Sequence, residues 1–300
     1  MLSEGRVVRG VGGLYEVLVP SKDGDRRVTC RGRGALRRDD KLLVGDLCLV
    51  REEGGEAVIE RILPRRTSLV RPPLSNLDEL FVVTAASHPT PSLETLDKLT
   101  AIAVHNGITP TLIVTKADLD DAAAEQLVTL YRGAGFRVFV TSPDRPTEAL
   151  SEYIAEHVAN GRCAAFAGAS GVGKSTLLNR LFPSLSLRTG AISQKIARGR
   201  HTTRSVELFV TPEGGLLADT PGFSMLDFVR FDFFALSDLP ATFPEFSAEL
   251  SHCRYADCTH TGEQECGVAV AVREGRIAPS RHESYRSLYR ILKEKKNKWD

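Results

Sequence analysis

Residues 168–175 have the sequence Gly-Ala-Ser-Gly-Val-Gly-Lys-Ser, which fits the pattern G-x-x-x-x-G-K-S at every specified position. The stretch lies between a predicted strand, Cys163–Ala167, and a predicted helix, Lys174–Phe182, as this pattern requires. Glycines there let backbone N–H groups converge on phosphate oxygens, assisted by the N-terminus of the following helix. A glycine-rich turn that only caps a helix is disfavoured because all of this context is present. The feature predicts an α/β domain that binds a nucleotide.

Two further motifs flank this loop, and one of them stands in an unusual place. Asp219-Thr220-Pro221-Gly222 follows the loop, as a Walker-B-like motif should, but Thr115-Lys116-Ala117-Asp118 precedes it. A carboxylate at Asp118 can accept both guanine N1–H and the exocyclic amine, a donor pair that adenine does not offer. This motif comes last in Ras-type GTPases. The sequence therefore predicts a circularly permuted GTPase whose switch regions lead directly into a C-terminal module.

The predicted nucleotide site combines these three motifs. Lys174 is expected to neutralise the β- and γ-phosphates and Ser175 to bind Mg²⁺, with Asp219 holding the metal's shell through water. In the switch I candidate, residues 197–204, Thr203 is the preferred third magnesium ligand and Thr202 the alternative. The expected GTP-binding residues are Thr115, Lys116, Asp118, Ser142, Gly168, Ala169, Ser170, Gly171, Val172, Gly173, Lys174, Ser175 and Thr176.

Three positions depart from the usual GTPase pattern. Thr115 replaces the commoner asparagine, so some hydrogen bonding that ties loops together is expected to be lost. Pro143 has no N–H where an amide usually contacts guanine O6, so that contact is missing or another amide supplies it. Phe223 occupies the place of the glutamine that positions water in Ras-like enzymes. Slow intrinsic hydrolysis is therefore expected, and His201 is the nearest candidate to orient the water. An exposed or RNA-contacting role for His201 is considered equally compatible with the sequence. The expected catalytic residues are His201, Lys174 and Thr203.

Three cysteines and a histidine follow one another closely in the C-terminal region, with the spacing C-x4-C-x-H-x5-C. Such a Cys₃His set suits one tetrahedral Zn²⁺ ion, and it leaves no open position, so a structural role is expected. His252 is the alternative imidazole, although the spacing favours His260. A disulfide or a catalytic zinc is less favoured. The expected zinc ligands are Cys253, Cys258, His260 and Cys266. The other cysteines, Cys30, Cys48 and Cys163, are expected to be buried hydrophobes.

Pattern changes along the 300 residues predict three domains. They are an all-β OB-like barrel that binds RNA (1–65), an α/β P-loop GTPase domain in permuted order (66–228), and a small, mostly α zinc-binding domain with a basic C-terminal helix (229–300). A Pro/Arg-rich stretch, residues 64–73, is interpreted as a linker. The predicted strands of the GTPase domain are Leu80–Ala85, Thr111–Thr115, Phe136–Val140, Cys163–Ala167, Ser205–Val210 and Leu216–Ala218. The predicted helices are Ser92–Val104, Ala122–Arg132, Thr147–Ala159 and Lys174–Phe182.

Charge is unevenly distributed, although the net charge is only +1. The barrel contains arginines flanked by aspartates. This surface either contacts RNA or is simply a solvated charged surface, and charge alone slightly favours the second alternative. The tail has an apolar stripe at helical spacing, with basic residues elsewhere on the helix. The barrel arginines are Arg26, Arg27, Arg31, Arg33, Arg37 and Arg38. The stripe is Tyr285, Leu288, Tyr289 and Leu292, with Arg281 placed off it; the candidate RNA-contacting residues are Arg286, Arg290, Lys293, Lys295, Lys296 and Lys298.

The chain resembles the ribosome small-subunit-dependent GTPases of bacteria, a circularly permuted branch of the translation-factor-related GTPases. The resemblance covers nearly the whole chain and rests on the permuted order, the Cys/His spacing and several short motifs. These motifs are Val44-Gly45-Asp46, Arg66-Thr67-Ser68-Leu69, Asn76-Leu77-Asp78, Gly199-Arg200-His201-Thr202-Thr203 and Asp219-Thr220-Pro221-Gly222-Phe223. It implies GTP hydrolysis stimulated by the small (30S) subunit, a role in late maturation of that subunit, and ribosomal RNA contacts from both flanking domains. It also implies that His201 matches the family's proposed catalytic histidine.

Two other functions remain open at this point. One is an RNA-binding scaffold in which GTP only selects a conformation, which Phe223 favours. The other is a permuted GTPase that serves the large subunit, although such relatives generally lack this zinc spacing and barrel. No secretory pattern and no apolar run long enough for a bilayer is found, so a cytoplasmic protein without membrane contact is expected. The expected partners are GTP or GDP and the small subunit with its RNA, and a monomer is expected.

Overall fold

A computed structural model describes residues 2–21, 24–33, 41–183, 206–219, 227–228 and 230–299. Its contacts divide the chain into two compact units. Unit 1 comprises Met1–Glu79, Ser151–Phe166 and Ser175–Gly222; unit 2 comprises Leu80–Leu150, Ala167–Lys174 and Phe223–Asp300. The three predicted domain boundaries stay a prediction. Among the described residues, no helix combines the length and apolar character needed to cross a membrane.

The N-terminal part of unit 1 is a closed five-stranded barrel, as predicted. Its strands are β1 (Leu2–Val11), β2 (Leu14–Val19), β3 (Arg26–Gly32), β4 (Leu47–Glu53) and β5 (Glu56–Ile62). They are ordered β1-β2-β3-β5-β4, and β4 also pairs with β1, which closes the barrel. Alternate residues point inward and form an apolar core, each contributing about 1.5–3 kcal/mol by burial. The core residues are Val7, Val17, Val19, Cys30, Cys48, Val50 and Ile59.

The segment interpreted as a linker is in fact partly ordered by strand pairing and by a buried ion pair. Strands β6 (Ser68–Leu69) and β7 (Leu74–Ser75) pair antiparallel. Before them, Arg65 binds the fully buried carboxylate of Asp46 through Nε at 2.7 Å and Nη2 at 2.9 Å. The Ser75 hydroxyl donates to the same carboxylate at 2.6 Å. These contacts satisfy a buried charge, which would otherwise be costly, so the segment is packed against the barrel.

The rest of unit 1 contains β11 (Cys163–Ala167), of which only Ala167 belongs to unit 2, with β12 (Glu207–Val210) and β13 (Leu216–Asp219). The order is β11-β13-β12, with β11 parallel and β12 antiparallel to β13. Two helices cross the boundary between the units, α3 (Glu148–His157) and α4 (Lys174–Leu181). The sequence predicted these strands and helices to within a few residues at each end.

Unit 2 contains the other strands and helices of the nucleotide-binding fold and the C-terminal region. Strands β8 (Glu79–Ala85), β9 (Thr109–Thr115) and β10 (Arg137–Val140) are ordered β10-β9-β8, with β10 parallel to β9. Helices α1 (Leu93–His105) and α2 (Asp121–Gly133) begin at Ser92 and Asp120, whose side chains accept backbone N–H groups of the first turn. The C-terminal region contains three short 3-10 turns, α5 (Gly267–Arg273) and α6 (Pro279–Trp299). The 3-10 turns are Leu236–Thr242, Pro244–Phe246 and Leu250–His252.

Candidate functional site: a nucleotide-binding loop and a Cys₃His cluster

The phosphate loop has a backbone that only glycine accommodates at its first position. Gly168 has φ +147°, and a Cβ there would lie 2.1 Å from the carbonyl oxygen of Val83. The loop therefore packs directly against the end of β8. The Lys174 ammonium donates to the carbonyl oxygens of Gly168 at 2.7 Å and Ala169 at 2.8 Å, which holds its charge beside the loop. Ala169, Ser170 and Gly171 are exposed, so the loop is open to a ligand.

The guanine-recognition motif touches this loop through two side chains. The Thr115 hydroxyl lies 2.5 Å from the carbonyl oxygen of Val172 and 3.2 Å from that of Thr84. Lys116, at φ +55°, donates to the carbonyl oxygens of Gly171 at 2.8 Å and of His88. The buried threonine hydroxyl thus connects the motif to the phosphate loop although the usual asparagine is absent. Asp118 is exposed beside this junction.

The loop after β10 joins the same group of motifs. The Ala117 N–H donates to the Thr141 carbonyl oxygen at 3.3 Å, which ties the guanine motif to this loop. Ser142 is buried, and its hydroxyl donates to Asp144 at 2.6 Å. Unit 2 therefore brings together the phosphate loop, the guanine motif and the loop that precedes Pro143. The sequence predicted the residues of these three motifs. It did not predict the hydrogen bond from Lys116 to the His88 carbonyl oxygen, because any residue can supply a backbone oxygen.

The magnesium and water-orienting candidates are only partly described. Ser175 and Thr176 are exposed in the first turn of α4, and Asp219 is the last residue of β13. The switch I candidate, with His201, Thr202 and Thr203, lies outside the described residues. Thr220–Phe223 also lies outside them.

The four predicted zinc ligands are brought together in one cluster. One ligand atom from each of Cys253, Cys258, His260 and Cys266 lies within 4.8 Å of all the others. His260 presents Nδ1, which is 3.5 Å from the sulfurs of both Cys253 and Cys266. Zinc bonds of about 2.3 Å to sulfur and 2.0 Å to nitrogen give a tetrahedral N···S edge of about 3.5 Å, so the residues fit Zn²⁺. The alternative ligand His252 is two-thirds exposed and faces Glu249.

The ionisation of the cluster residues depends on whether a metal is bound. Burial raises the pKa of Cys258 to about 12 and also raises that of Cys266, so without a metal both are neutral thiols. Burial lowers the pKa of His260, which favours the neutral imidazole that binds metals. N–H groups of Gly267 at 3.3 Å and Ala269 at 3.5 Å point at the sulfurs of Cys253 and Cys266. These donors stabilise thiolates once the metal is bound.

A carboxylate and helix α6 hold the backbone around the cluster. Glu263 accepts four hydrogen bonds, from the Thr259 N–H and hydroxyl and from the N–H groups of Thr261 and Gly262. Its burial opposes ionisation, but these donors outweigh it and lower the pKa of Glu263 to about 2. His282 contacts the His260 carbonyl oxygen at 2.7 Å, and the Tyr285 hydroxyl donates to that of Thr259 at 2.9 Å. Glu263 was not among the residues predicted from the sequence, although its place between the ligands His260 and Cys266 is a signal that could have singled it out.

Three of the four barrel arginines that the structure describes pair with glutamates. Arg27 is 3.0 Å from Glu16, Arg33 is 2.9 Å from Glu60, and Arg26 pairs with Glu52. Glu16 and Glu60 lie on the two strands that pair with β3, and Glu52 lies on β4, so the sequence did not show the pairs. Arg31 is exposed, and Arg37 and Arg38 lie outside the described residues. Local charge balance therefore reduces the basic character of this surface.

Two basic residues of the tail are not on its surface. Arg281, which the sequence placed away from the apolar stripe, is 1% exposed and bound to Asp97 and Glu245. Lys295 is 14% exposed at its side chain and binds backbone carbonyl groups. Placement off the stripe did not reveal the burial of Arg281, and the prediction of a surface position for Lys295 was wrong, because helical spacing does not reveal carboxylates and carbonyl groups elsewhere in the chain. Arg286 and Arg290 are exposed as predicted, although both contact Glu283.

The phosphate loop contacts the guanine motif in space but follows it in the chain, and this order defines a circularly permuted P-loop GTPase. Residues 62–229 match the RsgA GTPase family, and residues 4–59 match the RsgA N-terminal domain. The small ribosomal subunit biogenesis GTPase RsgA of Bacillus velezensis is 39% identical over 305 residues, covering 99% of this chain and 100% of the relative. The chain belongs to the RsgA family and is a GTP-hydrolysing enzyme.

Two solved structures share the whole architecture. One is YloQ, described as a circularly permuted GTPase, with a TM-score of 0.78, 32% identity, and coverage of 98% of this chain and 96% of that chain. The other is YjeQ from Thermotoga maritima, with a TM-score of 0.79, 31% identity, and coverage of 97% and 99%. The permuted motif order is therefore a property that this chain shares with a protein of known structure.

Proposed function

We propose that this chain hydrolyses GTP when it binds the small ribosomal subunit, and that it acts in late maturation of that subunit. The observation that carries this proposal is the match over the full length of a relative named a small ribosomal subunit biogenesis GTPase. The likeness extends through the barrel, the nucleotide site and the C-terminal region. Maturing bacterial ribosomes are in the cytoplasm, so a cytoplasmic monomer that exchanges GTP and GDP is the proposed working form.

In this proposal the residues of unit 2 bind the nucleotide. Gly168–Lys174 supplies backbone N–H groups and one ammonium to the phosphates. Asp118 accepts from guanine N1–H and from the exocyclic amine, and Lys116 lies along the purine face. Support comes from the contacts of Thr115 with Val172 and of Lys116 with Gly171, which link base recognition to the phosphate loop. Ser142 is proposed to line the base pocket, and Ser175 and Thr176 begin the helix that faces the phosphates.

The hydrolytic step is proposed from the sequence of the switch regions. Mg²⁺ bound with GTP would neutralise charge on the β- and γ-phosphates, and Ser175, Thr203 and Asp219 are the residues proposed to hold it. Phe223 cannot orient water, so His201 is proposed to do so when the small subunit orders switch I. Intrinsic hydrolysis is then slow, and the subunit acts as the activator.

The Cys₃His cluster is proposed to hold one structural Zn²⁺ ion. All four coordination positions come from the protein, which leaves no position for a substrate. The ion would turn the buried thiols into thiolates and hold together a region that contains only short turns and helices. The barrel and the exposed face of α6, with Arg286, Arg290, Lys293 and Lys296, are proposed to contact ribosomal RNA.

Steady-state GTP hydrolysis with and without purified small subunits tests the proposal. We expect strong stimulation by small subunits, none by large subunits, and loss of hydrolysis in Lys174→Ala. His201→Ala should bind GTP normally but lose the stimulated rate. Equal rates with and without small subunits would overturn the proposal. Tight binding to the subunit without stimulation would indicate a scaffold, and stimulation by large subunits alone would assign the chain to that subunit.

A further inference from the structure

Two residues with left-handed backbone are joined beside the phosphate loop. Among the described residues, five other than glycine have φ between +48° and +58°. This conformation is uncommon for a residue that has a side chain, and it persists only where the surrounding structure holds it. His88 and Lys116 are two of the five, and the Lys116 ammonium donates to the His88 carbonyl oxygen. Because such backbone conformations concentrate at functional sites, the contact between these two residues points to a role in the nucleotide site.

The segment that contains His88 runs alongside the guanine motif. The Thr115 hydroxyl lies 3.2 Å from the Thr84 carbonyl oxygen, and the Thr115 carbonyl oxygen accepts the Ala86 N–H at 2.8 Å. The His88 carbonyl continues this series, because it accepts from Lys116, the next residue of the motif. Contacts at every second residue therefore fix the position of His88 against the guanine motif.

The Lys116 ammonium is held from two directions. Besides the His88 carbonyl, it contacts the carbonyl oxygen of Gly171 in the phosphate loop at 2.8 Å. Pro89 lies at the same corner, since a Cβ on Gly171 would be 3.9 Å from its Cδ atom. An ammonium has three N–H donors, so the two carbonyl groups leave one for a nucleotide. The two acceptors together set the direction in which the Lys116 side chain runs.

The imidazole of His88 is turned toward its neighbour in the sequence. Its Nδ1 atom lies 2.7 Å from the Ser87 hydroxyl oxygen, and His88 is exposed. This contact involves neither Lys116 nor the phosphate loop. The group that Lys116 uses is the backbone carbonyl, whose direction depends on the dihedral angles of the His88 backbone and not on its ring.

We infer that His88 is a positioning residue for guanine-nucleotide binding: its left-handed backbone aims a carbonyl oxygen that, with that of Gly171, holds the Lys116 ammonium in place for the purine. The backbone conformation, and not the imidazole, is the feature that matters. This role rests on the proposed function, in which Lys116 lies along the purine face. It adds residues 84–89 to the three motifs of the nucleotide site.

Substitutions at His88 separate the backbone from the side chain. Glycine and asparagine adopt left-handed backbone most readily, alanine less so, and β-branched valine least. None of the four has an imidazole, so a loss that differs among them comes from the backbone. Equilibrium binding of fluorescent GDP would be measured on the full-length, zinc-loaded variants, and circular dichroism would check their folding. Asn160→Val is the matched control, because Asn160 has φ +51° but belongs to unit 1, away from the guanine motif and the phosphate loop.

We expect His88→Val to weaken GDP binding about tenfold and His88→Ala about threefold. His88→Gly, His88→Asn and Asn160→Val should stay within about twofold of the unmodified protein. In a Lys116→Met background there is no ammonium to hold, so His88→Val should cost less than about twofold more. His88→Ala carries the same comparison if valine prevents folding.

Equal losses in all the His88 variants would overturn the inference, because the imidazole itself would then matter. It would also be overturned if neither His88→Val nor His88→Ala weakened binding, or if His88→Val cost the full tenfold in the Lys116→Met background. Unchanged GDP binding in Lys116→Met alone would instead count against the proposed nucleotide site, because that variant removes the side chain assigned to the purine.

Discussion

Replacing Arg281 by methionine should destabilise unit 2 strongly, although the residue belongs to neither predicted site. The Arg281 side chain is 1% exposed, and it binds Glu245 at 2.7 and 3.2 Å and Asp97 through its other terminal nitrogen. Tyr131 donates to the same Asp97 oxygen at 2.8 Å. Burial alone lowers the pKa of Arg281, but the two carboxylates outweigh it and raise that pKa, so the guanidinium stays charged.

The size of the effect follows from the charges that remain. One guanidinium faces two carboxylates that are almost fully buried, so its removal leaves both without a counter-charge. Breaking one buried ion pair from one side costs about 3–5 kcal/mol. Methionine fills much of the same volume, so a cavity adds little. We therefore expect a loss near the upper end, about 4–5 kcal/mol, which lowers the melting temperature by about 8–20 °C.

Thermal unfolding of the zinc-loaded protein, followed by circular dichroism, measures this loss. The triple variant R281M/D97N/E245Q leaves no uncompensated charge and should recover more than half of it. Arg286→Met is the matched control on the same helix, because its ion pair with Glu283 is exposed, and a change within about 0.5 kcal/mol is expected. An unfolding free energy of Arg281→Met within about 1 kcal/mol of that of the unmodified protein would refute this prediction. A triple variant that is no more stable than Arg281→Met would refute it as well.

Three further predictions concern the barrel, the cluster and the thiols. Gly45→Ala should cost about 2–4 kcal/mol in denaturant unfolding, because Gly45 has φ +96° and a Cβ would lie 2.0 Å from the Ser75 carbonyl oxygen. Gly54→Ala, at φ +60° in open space, should cost only about 1 kcal/mol, and equal losses would contradict the argument. Glu263→Gln should release zinc to a chelator about tenfold faster, since four donors lose their charged acceptor, whereas Glu265→Gln at an exposed ion pair should not. Thiol labelling at pH 8 should modify only the cluster cysteines after chelation and all six after denaturation. Chelation removes the ion that would hold the cluster region together, so its thiols become accessible. The other three cysteines are fully buried in the folded protein, and a labelled thiol among these before denaturation would refute the prediction: Cys30, Cys48 and Cys163.

Elements whose cause is local could be predicted from the sequence. The phosphate loop needs glycines and a lysine within eight consecutive residues, and the zinc ligands lie within fourteen, from Cys253 to Cys266. Strands and helices followed from hydrophobic period and turn residues, so β11 was predicted with the bounds that the structure gives. The permuted order was also visible, because the order of motifs along a chain does not depend on folding.

Contacts between distant parts of the chain were decided only by the tertiary structure. Arg281 and Asp97 are 184 residues apart, and Arg27 and Glu207 are 180 apart, so no local pattern pairs them. Helical spacing placed Arg281 off the apolar stripe, and Lys295 was counted among the basic residues of the tail surface, but Arg281 binds buried carboxylates and Lys295 binds backbone carbonyl groups. The segment around Arg65 had the composition of a linker, and the carboxylate of Asp46 orders it. Hydrophobic periodicity indicates which face of a helix or strand is apolar. Whether a charged side chain is buried or exposed depends instead on the partner that folding places beside it.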